Sequence, residues 1–304
     1  MIRSIWSIIF LLLSFNAQGK EISLSFDDAP RRGGLIYTGL ERTQQIIQEL
    51  EKVKVDRAAF FVNTRKLPKG HGLERVKMYQ KAGHLIGNHT HRHINIKTAT
   101  TKEYLADFDK ADIILKKHML LDPFFRYPYL RRGKTFKEVN SIHQYILKKG
   151  YIDAFVTVDN FDFYMEDLFQ KALQRGEKIN FEHLKKFYIE TLYKGVEFYD
   201  ELAIKALGKK VKHVMLLHEN DLAALFIGDF VKHLRSKGWK IITPEESYED
   251  PVTKHFPKTV LDHGSGRVNA LAVEASYADA IRSGLESTEV LDGLFKEYEV
   301  IISQ

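Results

Sequence analysis

EISLSFDD, residues 21–28, joins the pattern of a strand to a pair of reactive side chains. Ile22, Leu24 and Phe26 recur at period two, and the run stops at the adjacent carboxylates Asp27 and Asp28. Thr38 then caps a helical pattern through Gln44, Ile46, Ile47 and Leu50, and Ala58 to Val62 is the next apolar run. The cycle repeats. A helix from Leu73 to Ala82 stops at Gly83, and His84 to Gly87 reads as strand. Tyr104 to His118 is helical, Pro123 to Arg126 extended, Lys134 to Lys149 helical, and Asp153 to Val158 a strand. His213 to His218 and Trp239 to Ile242 are strands flanking a helix from Leu222 to Ser236. Strand alternating with helix implies parallel pairing through right-handed crossovers. Seven such strands over roughly 230 residues predict an α/β fold, a distorted (β/α) barrel of about seven parallel strands, in preference to an open flavodoxin-like sheet.

Two segments fall outside the cycle. Residues 160–207 form a long, mostly helical insertion, and residues 249–304 form a C-terminal extension that begins with Pro251 and Pro257. The expected division is a signal peptide over 1–19, a barrel domain over 20–248 that includes the insertion, and the extension. Arg3, the apolar stretch Ile5 to Phe15 and the small residues around Ala17-Gln18-Gly19 have the order of an export signal, and the run is short for a membrane span. With no second long apolar run and no cysteine for a lipid anchor, a periplasmic or secreted protein without a stable membrane anchor is expected.

Composition narrows the chemistry. Zero cysteines exclude disulfides, cysteine-ligated metal and a thiol nucleophile, so any metal is held by carboxylates and the 13 histidines. The formal charge of +6 suits an anionic polymer without specifying one. Asp27-Asp28, His89 and His93, Arg126, Asp159 and His218 all fall at or just beyond predicted strand ends, which share one face in a β/α barrel. If residues 89–93 turn helically, His89 and His93 point the same way and can share a metal while His91 faces away; the same spacing suits a solvated polar turn. Asp28 is the natural third ligand, since a His₂Asp set leaves a position for water, and Asp27 beside it can act as general base.

In order, Ser25-Phe26-Asp27-Asp28, His89-Thr90-x-x-His93, Arg126-x-Pro128-Tyr129, Asp159-x-x-Asp162 and Leu217-His218 resemble the five motifs of the polysaccharide deacetylases, the NodB-homology carbohydrate esterases. The resemblance runs from about Glu21 to Tyr248. It implies a divalent metal, most simply zinc with cobalt or nickel as substitutes, on Asp28, His89 and His93. It also implies Asp27 as base oriented by Arg126, His218 as acid oriented by Asp159, and the backbone N–H of Tyr129 as an oxyanion donor. Ala29, Phe163 and Met215 depart from the usual Gly, Trp and Leu, which bears on substrate shape more than on the reacting groups.

Other features have plainer readings. His71 and His84 flank a helix as surface or capping residues. Arg131, Arg132 and Lys134, interleaved with Tyr127 and Tyr129, suit either an acidic or sugar ligand or a solvated loop. Phe161, Phe163, Tyr164 and Phe169 suit either the core of the insertion or a sugar-stacking wall. Gly264-x-Gly266-Arg267 reads as a turn before a helix from Val268 to Arg282. The expected function is N-deacetylation of N-acetylglucosamine units in a glycan polymer, peptidoglycan foremost. Chitin, poly-N-acetylglucosamine and O-acetylated xylan are the alternatives, and a non-catalytic glycan-binding barrel is the rival class. A two-metal nuclease would need more carboxylates than Asp27 and Asp28, so no nucleic-acid partner is expected. The oligomeric state is not encoded in any motif. Insertion 160–207 is expected to lie over the site mouth and limit which glycans enter.

Overall fold

The computed structural model describes residues 19–302, apart from 262 and 278–281. The expected export signal therefore lies outside the described residues except for Gly19. Seven parallel strands form one curled sheet: β1 (Lys20–Ala29), β2 (Ala59–Val62), β3 (Leu85–Asn88), β4 (Phe124–Phe125), β5 (Ile152–Asp153), β6 (His213–His218) and β7 (Trp239–Ile241). Their order is β5-β4-β3-β2-β1-β6, with β7 on the first residues of β1. Helices α1 (Gly39–Lys52), α2 (Gly72–Lys81), α3 (Thr101–Lys117) and α4 (Phe136–Lys148) make the first crossovers, and α7 (Asp221–Ser236) links β6 to β7. Thr38 caps α1 through a reciprocal box with Glu41, as its position before the periodic run anticipates.

β1 continues through Asp27 and Asp28 to Ala29 rather than stopping at the carboxylates. Its alternation separates two environments. Ile22, Leu24 and Phe26 join the cluster that also holds Ile46 and Leu50 of α1 and Ile227 and Leu234 of α7. Ser23, Ser25 and Asp27 alternate with them on the opposite face, where Ser25 and Asp27 meet Arg126. A second, smaller apolar cluster, with Phe61, Val214 and Leu216, fills that side.

The strand expected over 153–158 is shorter because its residues serve two neighbours. Residues 152–153 pair with β4, whereas Thr157 and Val158 donate to the carbonyl of Val214 and Leu216 donates back to Val158. That handover draws the β5 edge toward β6 and gives the barrel its distorted closure.

The insertion corrects a larger expectation. It comprises α5 (Asp162–Gln174) and α6 (Phe181–Leu207), and α6 is a wall of the barrel, not a lid. Leu184, Phe187, Tyr188, Leu192, Val196 and Tyr199 of α6 are buried in the main core with residues of β1, β6 and α7. The 27-residue helix thus occupies the crossover position before β6, and the insertion reaches the site through Asn160, Phe161 and Phe163 at its start. Beyond α8 (Pro244–Tyr248), the C-terminal residues join the same core: Val268 and Leu271 of α9 (Arg267–Glu274), and Leu291 and Phe295 of α10 (Thr288–Glu297), are buried there. The helix expected to reach Arg282 ends at Glu274; residues 278–281 of that expectation lie outside the described residues. No described helix is long and apolar enough to cross a membrane.

Because α6 is core, Phe187→Ala should lower unfolding free energy by about 3–5 kcal/mol, the usual range for truncating a buried Phe. Urea denaturation followed by circular dichroism measures it. A loss below about 1 kcal/mol would instead mark α6 as peripheral.

Candidate metal and catalytic site

The β1–β6 register places Asp27 directly opposite His218, so parallel pairing sets two candidate reacting groups from distant parts of the chain side by side. The β3–β4 register does the same for the next pair: Asn88 faces Phe125, and Arg126 N–H donates to the Asn88 carbonyl. A pocket of about 320 Å³ opens at these strand ends and is lined by Asp27, Asp28, His89, His93, Tyr129, Phe163 and His218 among others.

Asp28, His89 and His93 each bring a ligand atom within 4.8 Å of the others. The Asp28 Oδ1 atom lies 3.5 Å from His93 Nε2 and 4.0 Å from His89 Nε2, near the ~3.4 Å edge of a tetrahedron with ~2.1 Å bonds. That same Oδ1 is buried without a hydrogen-bond partner, a costly state that a cation would relieve. His89 Nδ1–H donates to the Arg126 carbonyl at 2.8 Å, which leaves Nε2 with its lone pair toward Asp28. Burial lowers His89 to about 3 and His93 to about 4, so both imidazoles are neutral as ligands must be. Burial pushes Asp28 up, but His93, Lys66 and His89 outweigh it and hold the carboxyl below its ordinary range. The residues present fit a divalent cation.

The histidines converge for a different reason than helical spacing. Residues 89–93 are not a helix; Thr90 (φ 64°) and His93 (φ 59°) take left-handed backbone and fold the segment back on itself. Asp28 (φ 70°) and Tyr129 (φ 58°) share that conformation, which costs a non-glycine residue of order 1 kcal/mol. With Leu130 (φ 53°) it recurs at five positions around one pocket, which marks a site where geometry outweighs local comfort. His91 does face away, sharing a hydrogen bond with Thr64 Oγ1 at 2.8 Å.

On the Asp27 side, Arg126 Nη1 donates to Oδ1 at 2.8 Å. Burial raises the Asp27 pKa by more than Arg126 and His218 pull it down. On the other side His218 Nδ1 bonds Asp162 Oδ1 at 2.6 Å, while the His218 backbone N–H donates to Asp162 Oδ2. Burial lowers His218, but Asp162 outweighs it and holds the imidazole above its ordinary pKa. This corrects the assignment of Asp159 as the orienting carboxylate. Asp159 is buried three residues earlier, accepts from the N–H of Asn160, and is pushed up by burial and by Glu286. The two carboxylates fall in one motif, and the hydrogen bonds of His218 distinguish them.

The aromatic segment divides. Phe169 is core, whereas Phe163 is 40% exposed and meets the His218 ring edge-on at 5.7 Å. The Tyr129 ring lies 4.3 Å from that of His93. The basic run divides too. Arg132 is buried, donating to the carbonyls of Pro257 and Thr259, and Lys134 reaches the Ala99 carbonyl, so only Arg131 faces the pocket. His84 is buried and accepts from the Ala58 N–H rather than sitting at the surface. Met215 packs in the core, and Leu216 lines the pocket in its place. Two contributors carried no sequence signal. Lys66 Nζ bonds the Asp28 carbonyl at 3.0 Å, and Gly264 sits against Tyr129 so closely that a Cβ would come within 1.9 Å of its carbonyl oxygen.

Residues 15–146 match the family model for polysaccharide deacetylase. The match covers under half of the 304-residue chain. The chain is 34% identical over 113 residues to the peptidoglycan-N-acetylglucosamine deacetylase of Bacillus cereus. That alignment spans 36% of each protein, so the chain matches about a third of this curated relative's length. A mutant of peptidoglycan deacetylase PdaC from Bacillus subtilis superposes with a TM-score of 0.50 at 20% identity, covering 77% of this chain and 92% of that one. A Bacillus anthracis CE4 family pseudoenzyme, mutated to restore activity, superposes at 0.51 with 22% identity, covering 76% of this chain and 68% of its own. Both likenesses concern the fold alone. The family match ends before Asp162 and His218, whose pairing comes from the tertiary structure.

If His218 is the acid of a hydrolytic reaction here, Asp162→Asn should shift the alkaline limb of the pH–rate profile downward by about one unit or more, because an imidazole without its carboxylate loses its proton more readily. Asp159→Asn should leave that limb in place. Initial rates from mildly acidic to alkaline pH decide; the reverse pattern would restore Asp159 to the role.

Proposed function

We propose that this chain is an exported, metal-dependent N-deacetylase that hydrolyses the acetamide of N-acetylglucosamine units in a glycan polymer, with peptidoglycan as substrate. The observation that carries the reading is that one candidate metal triad shares a pocket with two groups suited to opposite proton transfers, a carboxylate fixed by arginine and an imidazole whose pKa a carboxylate raises. Asp28, His89 and His93 would hold the ion, most simply zinc, with cobalt or nickel able to replace it. Bound there, it would polarise the acetamide carbonyl and acidify water.

The chain's own residues do the rest. Asp27, with Oδ1 tied to Arg126, keeps Oδ2 free to take the proton of the attacking water, and its raised pKa makes it a better base. His218 has Nδ1 committed to Asp162, so Nε2 is the nitrogen that delivers a proton to the departing amine. The backbone N–H of Tyr129, at the pocket wall, is the proposed donor to the oxyanion. Phe163 and Tyr129 offer apolar faces to a sugar ring. The Bacillus cereus relative's name supports the choice of N-acetylglucosamine in peptidoglycan over chitin, poly-N-acetylglucosamine or acetylated xylan. Against a non-catalytic glycan-binding barrel stands the retention of base, acid and all three ligands.

Mass spectrometry of products from peptidoglycan fragments, chitin oligomers, poly-N-acetylglucosamine and acetylated xylan tests the reading. Peptidoglycan fragments should lose acetyl groups, a chelator should stop the reaction, and added zinc should restore it. Asp28→Ala, His89→Ala and His93→Ala should lose bound metal by elemental analysis. Asp27→Asn should keep it while turnover falls about a hundredfold to ten-thousandfold. Binding without acetate release from any glycan would leave the non-catalytic barrel as the answer.

A further inference from the structure

Beside the site lies a second concavity of about 620 Å³, larger than the pocket itself. Arg31, Arg32, Arg65, Lys66, Lys69 and Arg75 line it, and no acidic residue does. Arg75 is neutralised from behind by Glu219 at 2.5 Å, and Lys66 leans toward Asp28 at 3.8 Å. The side chains of Arg31, Arg32, Arg65 and Lys69 have no carboxylate partner among the described residues, and Arg31 Nη1 is buried without any hydrogen bond. Like charges gathered in a concave wall repel one another and focus a positive potential, a state that an anion relieves.

The cleft is rigidly built. Buried groups hold the backbone that presents its cations: Glu219 Oε2 accepts from the Arg31 N–H at 2.6 Å, Arg75 Nη1 donates to the Arg31 carbonyl at 2.8 Å, and Arg42 Nη1 donates to the Arg32 carbonyl at 2.6 Å. Glu219 directly follows His218 on the chain, so one segment fixes both the proposed acid and the cationic loop. The cleft is also continuous with the site, because Arg31 lines both and Lys66 bonds the Asp28 carbonyl. A braced backbone at Arg31 and Arg32 lowers the ordering cost of presenting those cations to an anion.

Resting on the deacetylase reading above, we infer that this cleft is a subsite for carboxylates carried by the glycan strand, as on the peptide stems of peptidoglycan, and that it places an acidic strand across the catalytic pocket. Arginine forks suit carboxylates. No aromatic side chain lines the cleft to stack on bases, which argues against a nucleic acid as its occupant. A neutral chitin-type strand gains nothing from it.

The test uses fluorescence anisotropy with labelled peptidoglycan fragments bearing free stem carboxylates, the same fragments amidated, and chitin oligomers of equal length. The full chain should bind the acidic fragment about tenfold tighter than the amidated one, as two or three partly exposed ion pairs allow. The exposed pair Arg32→Gln/Lys69→Gln should erase that margin, raise KM on acidic fragments alone, and leave chitin-oligomer kinetics unchanged. Equal affinity for acidic and amidated fragments overturns the subsite. So does a margin that survives the double substitution, or displacement of the acidic fragment by a single-stranded oligonucleotide at lower concentration than by unlabelled fragment. A preserved margin with no acetate release would overturn the deacetylase reading and leave the subsite standing.

Discussion

Arg126 is fully buried inside the barrel, and its guanidinium organises what surrounds it. Nη1 donates to Asp27, Nη2 to Ser25 Oγ and Tyr248 Oη, and Nε to the Ala154 carbonyl; the Phe61 ring lies 4.2 Å beneath. A buried charge survives only when its donors are met and its counterion is near. Here the donors are met by β1, by α8 and by the segment after β5, so a single side chain ties the first strand, the last barrel helix and the closing edge together. Its own carbonyl then orients His89. The ion pair that gives Asp27 its position is therefore also the device that closes the polar lumen.

The acid side has its own frame. Asp162 binds His218 through both ring and backbone and also accepts from Asn220, which caps α7. Glu219 and Asp221 run from the same segment into buried pairs with Arg75 and Arg42. His218 thus faces the pocket while Glu219 and Asp221 brace the loop at 31–37, which holds the cationic loop and the imidazole in a fixed relation. Removing a brace would leave a buried charge unpaired, a larger loss than the pair itself contributes.

The C-terminal residues contribute to the same pocket. Gly264 and Arg282 line it, and Arg282 Nη2 donates to the Gly264 carbonyl while its Cζ lies 5.6 Å from the Phe161 ring. Arg267, buried at the start of α9, donates to the His255 carbonyl and lies 3.4 Å from Asp153. These contacts leave a wall of the pocket built by residues beyond the strand-and-helix cycle.

Much of this protein was legible in its sequence. The alternation of strand and helix marked all seven strands, because periodicity reports which face each element buries. Motif residues at strand ends predicted one shared face, and the structure brings Asp27, Asp28, His89, His93, Arg126 and His218 onto it, since parallel strands all end on one side. What stayed hidden depended on through-space choice. Asp159 and Asp162 are both carboxylates in one motif, and only the first turn of α5 decides that Asp162 reaches His218. Residues 160–207 have the pattern of a lid because an amphipathic insertion does not say which surface it covers; the core beside β6 claimed α6. Arg31, Arg32, Arg65 and Lys69 are ordinary surface cations until the fold places two loops face to face. Local pattern determines element type and the side a residue faces, whereas partner choice between like groups is settled by packing between residues far apart in the chain.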